Sequence, residues 1–119
     1  MRAKTLLATV AFLVLVCCAT VDVTKTAKRF YNPTNPNEVE ILINPPEKSY
    51  VELGTVTVTG FAASETGKMH KAIRAKVAPL GANAVILTSE GIKPGILFSA
   101  NHRWATGVAI RYNTGDEAD

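Results

Sequence analysis

The sequence predicts a small α+β domain ordered β-β-α-β-β, in which one helix packs on one face of a four-stranded sheet. Three observations point there. The 119-residue chain is 47% hydrophobic but only 7% aromatic and is rich in Val, Ile, Ala and Thr, a composition suited to strands. Three segments alternate apolar and polar residues with a period of two. Only one long segment, Ser64 to Gly81, repeats its apolar residues at helical spacing.

EVEILI, Glu38 to Ile43, sets Val39, Ile41 and Ile43 on one face against Glu38 and Glu40 on the other, and Asn44, Pro45 and Pro46 end it. The second strand runs from Tyr50 to about Phe61. Val51 and Leu53 hold one parity there and Val56 and Val58 the other, so the inward face switches at Gly54 and a bulge is expected. In the helix, Met69, Ile73, Val77 and Leu80 form the apolar stripe. Ser64 or Thr66 is expected to cap its start, Glu65 suits the positive end of its dipole, and Gly81 suits a left-handed stop. Pro79 lacks the amide hydrogen that regular helix would use, which predicts failure within the last turn.

NAVILT, Asn83 to Thr88, is an apolar run too short for a helix and reads as a strand covered on both sides. The last strand, Trp104 to Tyr112, places Trp104, Thr106, Val108, Ile110 and Tyr112 on one face. Ala105, Gly107, Ala109 and Arg111 lie on the other, where small residues let the helix approach.

Ahead of the domain, Arg2 and Lys4 precede an apolar run from Thr5 that stays free of charge through Val21, 17 residues, at the lower limit for spanning a bilayer. LVCC, Leu15 to Cys18, has the form of a bacterial lipobox with Cys17 in the place of the usual small residue. Lipidation at Cys18 is the preferred reading, ahead of plain secretion with cleavage after Ala19 and of an uncleaved anchor. The organisation is then a lipoprotein-type signal over residues 1–18, a Pro- and Asn-containing tether over 19–37, the domain over 38–113 and a disordered acidic tail over 114–119. Two acyl chains or more would attach the protein stably to a membrane, facing the periplasm from the outer membrane.

The formal charge of +3 comes from 13 basic and 10 acidic residues. Without Arg2 and Lys4 the balance is 11 against 10, or +1, which does not support nucleic-acid binding. No cysteine follows Cys18, so the domain has neither an internal disulfide nor a cysteine-based zinc site.

YVELGTVTV (Tyr50 to Val58), LGANAVIL (Leu80 to Leu87) and WATGVAIRY (Trp104 to Tyr112) together resemble a superfamily of small bacterial envelope proteins. It includes RcsF-like stress-sensing outer-membrane lipoproteins and the YbjQ-like group, to which heavy-metal binding is attributed. The resemblance covers roughly residues 38 to 112 and implies the β-β-α-β-β core. It also implies a non-catalytic binding, structural or sensory role in the envelope, with envelope stress signalling among the roles. The alternative it offers is an oligomeric small-molecule or metal-binding protein. The chain departs from the RcsF-like sensors in lacking the cysteines that form their disulfides.

No triad of nucleophile, base and orienting acid and no phosphate loop can be assembled, so no enzyme activity and no cofactor are expected. His70, His102 and Met69 have no spacing that makes a metal-ligand set, and none is assigned. Lys68, Lys71 and Arg74 point away from the apolar stripe, and a lipid-tethered domain could rest them on anionic head groups at about 1 kcal/mol each. Ile96, Leu97 and Phe98, with Trp104 nearby, are the candidate contact for an envelope protein partner or a second copy of the chain.

Overall fold

The computed structural model describes residues 19–95 and 101–113. Cys18 with the rest of the leader, the triplet Ile96, Leu97 and Phe98, and the acidic tail lie outside the described residues.

The architecture is α+β, as the pattern predicts, with a five-stranded mixed sheet in place of the expected four strands. The strands are β1 (Thr20–Lys25), β2 (Glu40–Leu42), β3 (Tyr50–Ala62), β4 (Ala84–Lys93) and β5 (His102–Tyr112), and the helix is α1 (Thr66–Val77). Across the sheet the order is β1-β3-β5-β4-β2. All neighbours are antiparallel except β2 with β4.

The added strand is β1, within the segment expected to be a tether. It pairs with β3 from Thr20 opposite Thr59 to Lys25 opposite Gly54. Val21 is buried in the core and Val23 packs against it, whereas Thr20, Asp22 and Thr24 are exposed. This two-residue period supplies the apolar face that an edge strand needs. The chain that follows is also held down. The amides of Thr26 and Ala27 donate to the Leu53 carbonyl at 2.9 and 3.1 Å, and Thr34 donates to Ala78 through its amide at 2.9 Å and to Ala82 through its hydroxyl at 2.5 Å.

β2 is shorter than expected. A 3-10 turn over Pro36–Glu38, capped by the Asn35 side chain on the Asn37 amide at 3.0 Å, replaces its start. Val39 is buried and Ile41 packs on the core, but Ile43 is 79% exposed, so the alternation ends before the proline pair.

β3 bulges where its inward face changes: Glu52 opposes Ile110 and Gly54 opposes Ala109, leaving Leu53 as the extra residue. Leu53, Val56 and Val58 are all buried as a result. Glycine at 54 answers a further need, because a Cβ there would come within 2.5 Å of the Thr24 carbonyl oxygen in β1. A second irregularity between Val58 and Phe61 turns Phe61 into the core.

α1 ends at Val77, and Ala78–Leu80 continues as a 3-10 turn containing Pro79 before Gly81 closes it at φ +90°. Met69, Ile73 and Val77 are fully buried against the sheet. The expected hydroxyl cap is not used. Glu65 occupies the N-cap, its backbone carbonyl accepts from the Met69 amide at 3.0 Å, and its carboxylate accepts from the Ala62 amide at 2.9 Å.

β4 extends past Thr88 to Lys93 and is buried on both faces at its start. Val85 and Leu87 join Ala105 and Ala109 in the helix-side core, while Ala84 and Ile86 join Ile110 on the opposite face. Each fully buried Leu, Ile, Val or Met side chain contributes about 1.5–3 kcal/mol. Among the described residues no helix is long and apolar enough to cross a membrane.

Candidate functional site

Among the described residues, three concave regions bear on function. The first lies between β1 and α1. It is an apolar groove of about 450 Å³ lined by Ala19, Val21, Phe61, Ala72, Ala75 and Lys76. It exists because β1 stands beside the helix, so a reading that made residues 19–37 a tether could not anticipate it.

The second lies on the flank of α1 facing the 3-10 turn. Pro36, Asn37, Gly67, Lys71, Arg74 and Ala75 enclose about 520 Å³. Two of the three basic residues singled out in the sequence therefore share a cleft. Arg74 is anchored through Nε to the Val39 carbonyl at 2.9 Å, and Lys71 is exposed. Lys68 is drawn away by an ion pair with Glu65 at 3.1 Å. The Ala62 amide and then Lys68 hold the Glu65 carboxyl below its ordinary range.

The third lies at the end of the sheet where the chain enters the domain. Thr59, Gly60, Lys93, His102, Arg103 and Trp104 line about 250 Å³. Three strand ends meet there: Arg103 opposes both Phe61 and Ile92, and His102 opposes Ala62 and Lys93. Arg103 is fixed by two bonds to the Ala63 carbonyl, from Nε at 3.2 Å and Nη2 at 2.7 Å. Trp104 sits across from Gly91. A Cβ on Gly91 would lie 2.9 Å from Cζ2 and 3.0 Å from both Cε2 and Nε1 of the indole, so the ring face covers the glycine backbone. The half-buried Trp104 thus packs by one face while still bordering the cleft.

The histidines do not meet in this cleft. His102 is exposed at the start of β5, whereas His70 is half-buried on α1. Burial pushes the His70 imidazole below its ordinary value, aided by the charges of Arg74 and Arg103 and opposed by Glu90. Met69 is fully buried in the core, away from both histidines' surface positions. Among the described residues no three His, Cys, Asp or Glu side chains converge as a metal site.

Lys93, Thr59 and Gly60 are the site residues that sequence reasoning missed. Their approach to Trp104 depends on strand register, including the slip between Leu87 and Ser89, for which the sequence carries no local signal.

No family model matches the chain, and no curated protein matches it. Among solved structures, the crystal structure of a Francisella virulence factor, FvfA, matches with a TM-score of 0.59 at 15% identity, covering 77% of this chain and 97% of that one. At this identity the likeness is one of fold.

Proposed function

We propose that this chain is a bacterial cell-envelope lipoprotein, anchored by lipid on Cys18, whose α+β domain is a non-catalytic binding, structural or sensory module. The observation that carries the reading is the junction between leader and domain. LVCC closes the apolar run, and Ala19, the next residue, packs against the core beside Gly60. A cut before Cys18 keeps that packing, whereas a cut after Ala19 discards it.

The resemblance to RcsF-like and YbjQ-like proteins supports the same reading, since β2 to β5 with α1 follow the element order it implies. Envelope stress sensing is one role within this reading, by a route other than the disulfides of the RcsF-like sensors. The outer membrane, with the domain facing the periplasm, is the compartment proposed.

The test is the intact mass of the protein purified from bacterial membranes, with and without an inhibitor of lipoprotein signal peptidase. A mature chain beginning at acylated Cys18, replaced by precursor under inhibition, supports the proposal. An unmodified chain beginning at Thr20 sinks it. An unmodified oligomer that is stabilised by added metal would turn the reading to the YbjQ-like alternative.

A further inference from the structure

We propose that the sheet end bearing Lys93, His102, Arg103 and Trp104 lies against the phosphate-bearing headgroup layer of an anionic bilayer. The inference rests on the lipid-anchor reading and gives it an orientation.

The first argument is covalent reach. Thr20 is already in register opposite Thr59, so a lipid on Cys18 is two peptide units, about 8 Å, from a residue fixed in the sheet. Ala19 itself is held close to Gly60, where a Cβ on the glycine would lie 3.1 Å from the Ala19 Cα. The 13 residues of β3 extend about 40 Å from this end, which leaves the opposite end of the sheet out of contact when the lipid is inserted.

The second argument is the chemistry gathered at that end. Gly60, which touches Ala19, also lines the cleft with Lys93, His102, Arg103 and Trp104. An indole suits the membrane interface because its ring is apolar while its N–H seeks a polar partner. Lysine and arginine are attracted to anionic lipid within a Debye length of the surface. The acids nearest this end on neighbouring elements are Asp22, exposed on β1 opposite Thr57, Glu65, paired with Lys68 at 3.1 Å, and Glu90, which faces across to Ala105. None of the three lines the cleft. The basic flank of α1, by contrast, has its cleft against the 3-10 turn that leads into β2, the edge farthest from β1.

Trp104 is the chain's single tryptophan and reports on its own surroundings. The full-length lipid-bearing protein, with acylation confirmed by mass, is reconstituted into vesicles of phosphatidylethanolamine and phosphatidylglycerol containing a headgroup-labelled nitroxide lipid. Strong quenching of Trp104 is expected, reduced several-fold by Lys93→Glu or His102→Glu and unchanged by Lys71→Glu. Trp104 left unquenched by the labelled lipid and open to dissolved iodide would overturn the proposal. Loss of quenching in Lys71→Glu with retention in Lys93→Glu would also overturn it, placing the helix flank on the membrane. If mass shows no acyl chain, the anchor reading fails separately. Quenching on addition of the same vesicles to that unmodified chain would uphold the surface, and its absence would reject the surface as well.

Discussion

Arg111 donates from Nη1 to the carbonyl of Gly81 at 3.0 Å, tying the central strand to the turn that closes the helix. The same guanidinium lies over the Tyr31 ring at 4.9 Å, so the segment between β1 and β2 is clamped at this point too. Gly81 holds φ +90°, and a Cβ there would meet Tyr31 Cβ at 2.6 Å and the Asn32 carbonyl oxygen at 2.8 Å. Gly81→Ala therefore combines left-handed strain with a clash against backbone. A loss of about 1–3 kcal/mol is expected from urea unfolding, and a midpoint equal to wild type would show that the clamp carries no stability.

β1 belongs to the folded unit, and Val21 tests this. The side chain is 7% exposed within the core. Val21→Asp forfeits a burial worth about 1.5–3 kcal/mol and puts a carboxylate in its place. Thermal unfolding should shift down clearly. An unshifted transition would return residues 19–37 to the status of a tether.

Glu65 gives stability a dependence on acid. The Ala62 amide and Lys68 favour its charged form and lower its folded value below the ordinary 4.5. The unfolded chain consequently binds the proton more readily, so this contribution is complete above 4.5 and is lost as pH falls through the lower folded value. Denaturant midpoints measured between about pH 5 and about pH 3 should fall less steeply in Glu65→Gln than in wild type. Equal slopes would contradict the assignment.

His70 acts in a higher window. Burial first, then the nearby Arg74 charge, disfavours its imidazolium, so its folded value lies below the ordinary 6.5. Stability should decline as pH drops below 6.5 and level off beneath the folded value. His70→Gln removes this slope, a difference readable from urea midpoints at about pH 7.5 and about pH 5. A variant with the wild-type slope would count against it.

Local chemistry made much of this fold readable. Met69, Ile73 and Val77 repeat at helical spacing, and Gly81 punctuates the end. The parity change between Leu53 and Val56 marks a bulge, because no regular strand can bury both. β1 was hidden because six residues with two valines, followed by Pro and Asn, look like linker until β3 supplies a partner more than 25 residues later. Glu65, rather than Ser64 or Thr66, stands at the N-cap, and its carboxylate reaches back to the Ala62 amide of β3 instead of into the helix. In the candidate site, Trp104 stood out by type, but Lys93 and Gly60 reach it through strand register alone. The basic character of Lys68, Lys71 and Arg74 was visible, whereas the pairing that separates Lys68 from the other two depends on where the helix begins.

The position of β5 governs the order in which the molecule can be made. Among the described residues it is the middle strand of five and the last in order, pairing with β3 on one side and β4 on the other. Until Tyr112 has left the ribosome, β3 and β4 have no strand between them, and the core that Ala105, Ala109 and Ile110 complete remains open. Local contacts in α1 can form early, but the sheet must wait for its distant pairs.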